Sequence, residues 1–598
     1  MRRLLALIVC TSACLLPAAA AADPGFSTGV SSKALTGLTA RSDTAFASAA
    51  SSTSSTNPDA PIPVIASNTP PAGRRLSANA VLAIAAKLPK MRAERAKYRG
   101  SYGGAYLKPQ FRWQVSYFSR GGKKEIGQVL IDDLSGRVLE QWTGFQVAWT
   151  MARGYKGAFG RHVNALYVWL PLCVLFLVPF VNFRRPFSLL HLDLLVLLSF
   201  SVSLAFFNNA HIYASVPLAY PPLLYLLARM LALLRRGRRG GGQPRPVPLR
   251  LLIPLPWLAL AVVFLLGFRI GLNVTDSNVI DVGYAGVIGA DRIVKDKPLY
   301  GSYPSDNERG DTYGPVNYEV YVPFEQAVGW SGTWDDLPAA HAAAIFFDLL
   351  CVALLFGLGR RMRGPTLGVA LAYAWVSFPF TLFALESNSN DELVAALVLA
   401  TLLVASYRSK LEPGARGALA ALAGLSKLAP LALAPVLATH GLRGLSASRR
   451  RWALLLFALA FAGTAALAFI PALSHDSLHT IYERTIAYQS DRSSPFSVWG
   501  LYGLGGLEQI AEGAAVALAL GLAILPRRPD IVGLAAACAA VIIATQLGIE
   551  HWFYLYIPWF FGLVMLALLG RFSDPSRPVA DVASAPAQSM QPAAALSS

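Results

Sequence analysis

The chain has 598 residues, 54% hydrophobic and only 14% charged, with a net charge of +18. A mean hydropathy of +0.46 over that length excludes a soluble globular protein and indicates a polytopic membrane protein. Nucleic-acid binding is excluded by where the surplus arginine falls: in short loops between apolar spans, at Arg184-Arg185, 235–250, 360–363, 448–451 and Arg527-Arg528. This is the positive-inside pattern of cytoplasmic loops.

Residues 1–22 carry Arg2-Arg3, an apolar run and a small-residue stretch ending at Asp23, which predicts a signal peptide and places the following residues on the outer side of the membrane. Residues 23–76 are rich in Ser, Thr, Ala and Pro and predict a disordered linker, because they cannot bury enough surface to offset ordering entropy. Over 77–150 the pattern changes. SANAVLAIAAKLPKMRAERA has helical spacing behind a capping Ser, and FRWQVSYF, IGQVLIDD and GRVLEQWT alternate as strands around turns. This helix followed by a small antiparallel sheet, with its W-x-V…V-x-I-D…G-R-V phrase, resembles the PepSY domain. The resemblance implies a docking or spacer module with a protein partner outside the membrane. Of the five cysteines, Cys10 and Cys14 lie in the leader. Cys173, Cys351 and Cys538 lie singly in apolar runs, so neither a metal site nor a disulfide framework is indicated.

From Val163 onward, apolar runs predict eleven transmembrane helices, near 163–182, 187–207, 215–234, 250–271, 340–359, 366–385, 391–407, 452–472, 507–526, 530–548 and 552–570. The first three form an accessory unit (163–234), the rest a membrane domain over 250–571, and 572–598 a disordered cytoplasmic tail. The stretch 414–441 is long enough to cross, but basic residues flank it on both sides. It is therefore read as a re-entrant hairpin whose tip carries Ser426-Lys427, an ionisable group at a costly depth. The expected fold is an all-α polytopic membrane protein with a small N-terminal α+β domain, in the cytoplasmic membrane.

That topology places four polar loops on the outer face: 273–339, Glu386–Glu392, 474–500 and Gly548–Tyr554. Such a layout suits a lipid-linked sugar phosphate, which needs a lateral groove, cations for its phosphate and a carboxylate base for the acceptor hydroxyl. Asp281 stands at the end of the fourth span as the candidate base, and Asp276, equally near the membrane, is its rival. Lys427, Arg492 and Arg292 are candidate phosphate partners. Asp291-Arg292 also fits the polar face of a surface helix, and Arg492 could instead pair with Asp491 or Glu483. His475, His479 and His551 share no metal-ligand spacing.

VIDVGYAGVIGADRIVKDKPLYGSY followed by TYGPVNYEVYVPF resembles the first outer loop of GT-C glycosyltransferases that use polyprenyl-phosphate sugars, in particular the bacterial polyprenol-phosphate-mannose α-mannosyltransferases. Asp281-Val-Gly-Tyr284 matches the family's catalytic Asp and Tyr, and Tyr313-Gly-Pro315 its Tyr-x-Pro. GLSKLAP at 424–430 matches its Lys-x-x-Pro hairpin, and AYQSDR at 487–492 a late loop near the donor. The resemblance spans roughly 250–570. It implies transfer of a mannose or another hexose or pentose from a polyprenyl phosphate to an extracytoplasmic glycan, lipid or protein, with no metal or other cofactor. In this reading Tyr284, Tyr313, Asn388, Asn390, Gln489 and His551 line the sugar or acceptor site. The accessory unit, the PepSY-like domain and the long charged loop between Tyr300 and Tyr313 depart from the family. Two other functions compete: a flippase or transporter, which would place more polar groups at mid-membrane in two similar halves, and a non-enzymatic anchor for the PepSY-like module.

Overall fold

The computed structural model describes residues 61–572, apart from 109–110, 121–124, 144–161, 209–211, 237–247, 278, 305–306, 308, 333–336, 408, 491–493, 495 and 526. The leader, the linker up to residue 60, the tail from 573 and Arg492 lie outside the described residues.

The N-terminal domain is an antiparallel meander, β1 (Ile62–Val64), β2 (Tyr102–Lys108), β3 (Arg112–Phe118), β4 (Glu125–Asp132) and β5 (Val138–Thr143), with neighbours in chain order. Helices α1 (Ala78–Lys87) and α2 (Pro89–Lys97) cover it. Ser77 caps α1 by accepting from the Ala80 N–H at 3.2 Å, and Pro89 opens α2, where its missing N–H costs nothing. The alternating residues Trp113, Val115 and Tyr117 turn inward against Val81 and Ala85. The domain begins earlier than composition suggests. β1 pairs with β2, and the Arg75 and Leu76 N–H groups donate to Asp133 at 2.9 and 3.0 Å, so residues 61–76 belong to the folded unit rather than to a linker. A three-residue edge strand is specified by its partner forty residues on, not by its own composition.

The rest of the chain is helical. The accessory unit comprises α3 (Leu166–Leu177), α4 (Leu189–Asn208), α5 (Ile212–Leu218) and α6 (Tyr220–Arg236). After it come α7 (Leu255–Asp276), α8 (Asp281–Val294), α9 (Val316–Glu319), α10 (Val322–Val328), α11 (Pro338–Arg363), α12 (Pro365–Ser377), α13 (Pro379–Glu386), α14 (Asp391–Ala405), α15 (Glu412–Ser426), α16 (Ala434–Ala438), α17 (Ala447–Ala468), α18 (Gly505–Ile524), α19 (Ile531–Gly548) and α20 (Ile557–Leu569). All eleven apolar runs are helical. Among the described residues seven helices are long and apolar enough to cross a membrane, or eight if α12 and α13, bent by 58° at Phe378-Pro379, count as one span. The runs at 163–182, 391–407 and 552–570 give helices of 12, 15 and 13 residues, short of the roughly 20 that a full crossing takes. Pro171 lies inside α3, where it removes a backbone donor, and Pro558 opens α20, where its missing N–H costs nothing. Burial sorts the long helices. α19 is 83% buried and central, whereas α7, α17 and α18, each 17% buried, present apolar faces outward as lipid-facing helices do.

The hairpin at 414–441 is present. α15 ends at Ser426, Lys427 is extended (φ −144°, ψ 147°), and the chain resumes as a 3-10 turn, Ala429–Leu433, and α16. It returns towards its start, since Arg416 early in the first arm lies within electrostatic reach of His440 just past the second. Arg527, after α18, donates to the Val436 carbonyl at 2.6 Å and so closes the end of the second arm.

Two further ion pairs are buried within the helical domain. Arg269 on α7 meets Asp348 on α11 at 2.5 Å, and Arg229 on α6 meets Asp193 on α4 at 2.7 Å. Asp348 also accepts from Trp375 Nε1 at 2.7 Å, and Asp193 from Tyr225 at 2.8 Å. Both tie helices together as internally neutralised pairs.

Candidate functional site

The site is assembled around the loop between α13 and α14, Glu386 to Asp391, every residue of which is buried. Asn273, on the last turns of α7, donates to the Leu385 carbonyl at 2.9 Å and to Asn388 Oδ1 at 2.8 Å. Asn388 returns a bond to Ser277 Oγ at 2.8 Å, and the Ile280 N–H donates to the Ser387 carbonyl at 3.1 Å. Asn388 holds a left-handed backbone (φ +50°), a conformation asparagine tolerates better than most residues. The loop therefore fixes where α7 ends and α8 begins.

This arrangement explains Asp281-Val-Gly-Tyr284 residue by residue. A Cβ at Gly283 would collide with the Asn388 carbonyl oxygen, so only glycine lets α8 start here. Tyr284 is fully buried and packs edge-on to Trp330 at 5.8 Å, anchoring the helix rather than lining an open surface. Asp281, one residue into α8, stays exposed in the first turn, where the helix dipole favours its charge, and its backbone carbonyl accepts from Asn307 Nδ2 at 2.9 Å. Asp276 is differently placed. One of its oxygens takes both the N–H and Nδ1 of His162, each at 2.8 Å.

On the other flank of the loop, Asp391 opens α14 and pairs with Lys427 at the hairpin tip, Nζ to Oδ1 2.5 Å, with the two side chains 1% and 8% exposed. The same oxygen accepts from Trp559 Nε1 at 3.0 Å, and Oδ2 accepts from Ser389 Oγ at 2.7 Å. The ammonium lies over three ring faces: Trp559 at 5.1 Å, Tyr556 at 5.4 Å and Tyr313 at 5.7 Å. Tyr556 and Trp559 stack on each other at 4.5 Å. Tyr313 arrives because the Tyr-Gly-Pro turn crosses directly over the tip, where a Cβ at Gly314 would strike the Leu425 carbonyl. A cation among aromatic faces is stabilised without spending its N–H groups.

The loop also links to α9, as Asn390 Nδ2 donates to Asn317 Oδ1. Beside that bond, Asn390 Oδ1, Asn317 Nδ2, the Tyr321 hydroxyl and both carboxyl oxygens of Glu386 and Glu392 are buried without a hydrogen-bond partner. Such a density of unmet polar atoms is costly. Glu319 on α9 is pushed up to about 8 by burial.

The remaining sequence candidates fall at varying distance from this centre. His551 bonds Ser494 Oγ through Nδ1 at 2.9 Å and packs on Phe496 and on Tyr556 of the aromatic box. Gln489 is half-buried, one residue after Tyr488, whose ring lies under Arg309 at 5.1 Å. Arg292 is spent on a local turn, donating to the Pro298 carbonyl at 2.8 Å and to Ser302. The charged loop before Tyr313 is a strap. Arg484 holds Asp311 through two bonds of 2.7 and 2.6 Å, and Asp476 accepts the Leu299 and Tyr300 N–H groups at 2.8 and 3.2 Å, fastening this loop to 474–490. Asp391, Tyr556 and Trp559 were missed as site residues. The detectable signal was two aromatic residues with polar handles, three apart on one helical face, at the start of an otherwise apolar run.

Comparison with known proteins gives a match of residues 312–570, less than half of the chain, to the sequence model of glycosyltransferase family 87. Among solved structures, the crystal structure of ArnT from Cupriavidus metallidurans bound to undecaprenyl phosphate is similar at 17% identity with a TM-score of 0.36, over 53% of this chain and 60% of that one. The chain thus spans less than two thirds of that protein's length. No curated protein matches.

Proposed function

We propose that the protein is a multi-pass GT-C-type membrane glycosyltransferase that transfers a sugar, mannose or another hexose or pentose, from a polyprenyl phosphate to an extracytoplasmic acceptor. The observation that carries this reading is the Lys427 ammonium, held at the hairpin tip with one N–H on Asp391 and three aromatic faces around it. Asp281 stands on the opposite flank of the same buried loop. The match to glycosyltransferase family 87 over 312–570 supports the reaction class.

In this reading Asp281 takes the proton of the acceptor hydroxyl as its oxygen bonds to the anomeric carbon. The bond from that carbon to the phosphate oxygen breaks, and its electron pair leaves with the polyprenyl phosphate, which gains a second negative charge. Lys427, with Arg492 on the late loop, meets that charge through its remaining N–H groups. Asn388 and Asn390 hold the loop between the two groups, and Tyr313 and His551 border the donor. The N-terminal domain, PepSY-like in its strand phrase, serves as an extracytoplasmic docking module, and the strap at 299–313 shapes the acceptor side. A test supplies proteoliposomes with radiolabelled polyprenyl-phosphate mannose and a pentose analogue. Asp281→Asn is expected to lower transfer by about 10²–10⁴-fold, the usual worth of a positioned base, with Asp276→Asn far less affected. Equal rates for wild type and Asp281→Asn would remove Asp281 from its role.

A further inference from the structure

The accessory unit has no part in the reaction as described, yet it reaches the aromatic box through one buried knot. The Tyr554 hydroxyl lies 2.7 Å from Ser203 Oγ on α4 and 2.8 Å from Ser215 Oγ on α5. The two serines are themselves crossed: Ser203 Oγ donates to the Ser215 carbonyl at 2.7 Å, and Ser215 Oγ to the Ser203 carbonyl at 2.9 Å. Three hydroxyl protons thus serve four contacts, and all three side chains are buried to within 2%. Tyr554 opens the 3-10 turn Tyr554–Tyr556, whose last residue carries the ring over Lys427. Phe207, also on α4, packs edge-on to Tyr554 at 5.4 Å, and Tyr220 on α6 accepts the Val498 N–H of the neighbouring loop at 3.1 Å.

The geometry points to Tyr554 as a positioning residue through which the accessory helices set the aromatic wall of the phosphate site. The inference rests on Lys427 being the donor-phosphate ligand. Tyr554→Phe is a clean probe, because each serine keeps its carbonyl partner when the phenol oxygen is removed, so no buried donor is orphaned. What is lost is the tether of the turn that aims Tyr556.

The experiment titrates polyprenyl phosphate onto the full chain in nanodiscs. Tyr554→Phe is expected to weaken binding about fivefold, the scale of one buried hydrogen bond. In a Tyr556→Leu background the same substitution should change nothing, because its effect travels through that ring; a merely structural role would stay additive. Tyr225→Phe is the control. It removes a comparable 2.8 Å bond to Asp193, about 15 Å away along α4, and should leave binding unchanged. Unchanged binding in Tyr554→Phe, or an undiminished effect beside Tyr556→Leu, would overturn the inference alone. Wild-type binding by Lys427→Met would overturn the donor-site reading and this inference with it.

Discussion

Arg269–Asp348 and Lys427–Asp391 are built from the same parts. Each is buried, each closes at 2.5 Å, and in each a tryptophan Nε1 donates to the carboxylate, Trp375 in one and Trp559 in the other. They differ at the cation. The Arg269 guanidinium spends four of its five N–H groups on both Asp348 oxygens, Thr381 Oγ1 and the Val376 carbonyl. The Lys427 ammonium spends one N–H on Asp391 and faces rings with the rest. The first pair is closed and holds α7 to α11. The second keeps donors in reserve, which is what an anion-binding cation needs.

The comparison breaks most visibly if both partners of each pair are removed. Replacing a whole buried pair is often neutral for folding, so such double variants isolate function from stability. Lys427→Met with Asp391→Asn should lower transfer at least about 100-fold, on the order of a lost charge-stabilising donor. Arg269→Met with Asp348→Asn should leave transfer within about threefold while both proteins keep near-normal thermal unfolding. The single change Asp348→Asn is a different perturbation. It strands a buried guanidinium and should cost about 3–5 kcal/mol of stability, read as a lowered Tm in detergent.

A smaller effect sharpens the open pair. Trp559→Phe keeps a ring beside Lys427 but deletes the Nε1 bond to Asp391, and should raise the donor KM by about three- to tenfold with kcat nearly preserved. The smallest effect concerns Glu319 on α9, two residues from the Asn317 that bonds Asn390. Burial raises its carboxyl from 4.5 to about 8, so the folded protein keeps a proton that the unfolded chain releases. Its contribution is therefore present below the unfolded value and lost as pH rises through the window up to about 8. Glu319→Gln should flatten the fall in Tm from pH 4.5 up to about 8, which a pH series of unfolding curves measures.

Hydrophobic periodicity and basic loops made the helical architecture legible, and the hairpin followed from flanking charge alone. Lys427, Tyr313 and Asp281 stood out because polar residues in apolar or glycine-rich surroundings are conspicuous. Their partners did not. Asp391 is 36 residues from Lys427, and Trp559 reads locally as one more apolar residue in a run that mean hydropathy assigns to lipid. Tyr284, expected beside the sugar, is an anchor, because α8 is buried all along from Gly283 to Asp291 and Asp281 precedes that stretch at the exposed N-terminal end. Apolar composition marks a helix that can be buried in protein as readily as one that can cross, and α14 and α20, of 15 and 13 residues, are buried and shorter than a full crossing takes.

In the proposed reaction the open pair binds the donor's phosphate. The most direct measurement is equilibrium binding of polyprenyl phosphate to wild type and to the Lys427→Met, Asp391→Asn double variant, beside the Arg269→Met, Asp348→Asn double variant. Binding should weaken by at least about 30-fold in the first, where the phosphate no longer meets an ammonium, and stay unchanged in the second. Equal affinity in all three proteins would contradict that role of the pair.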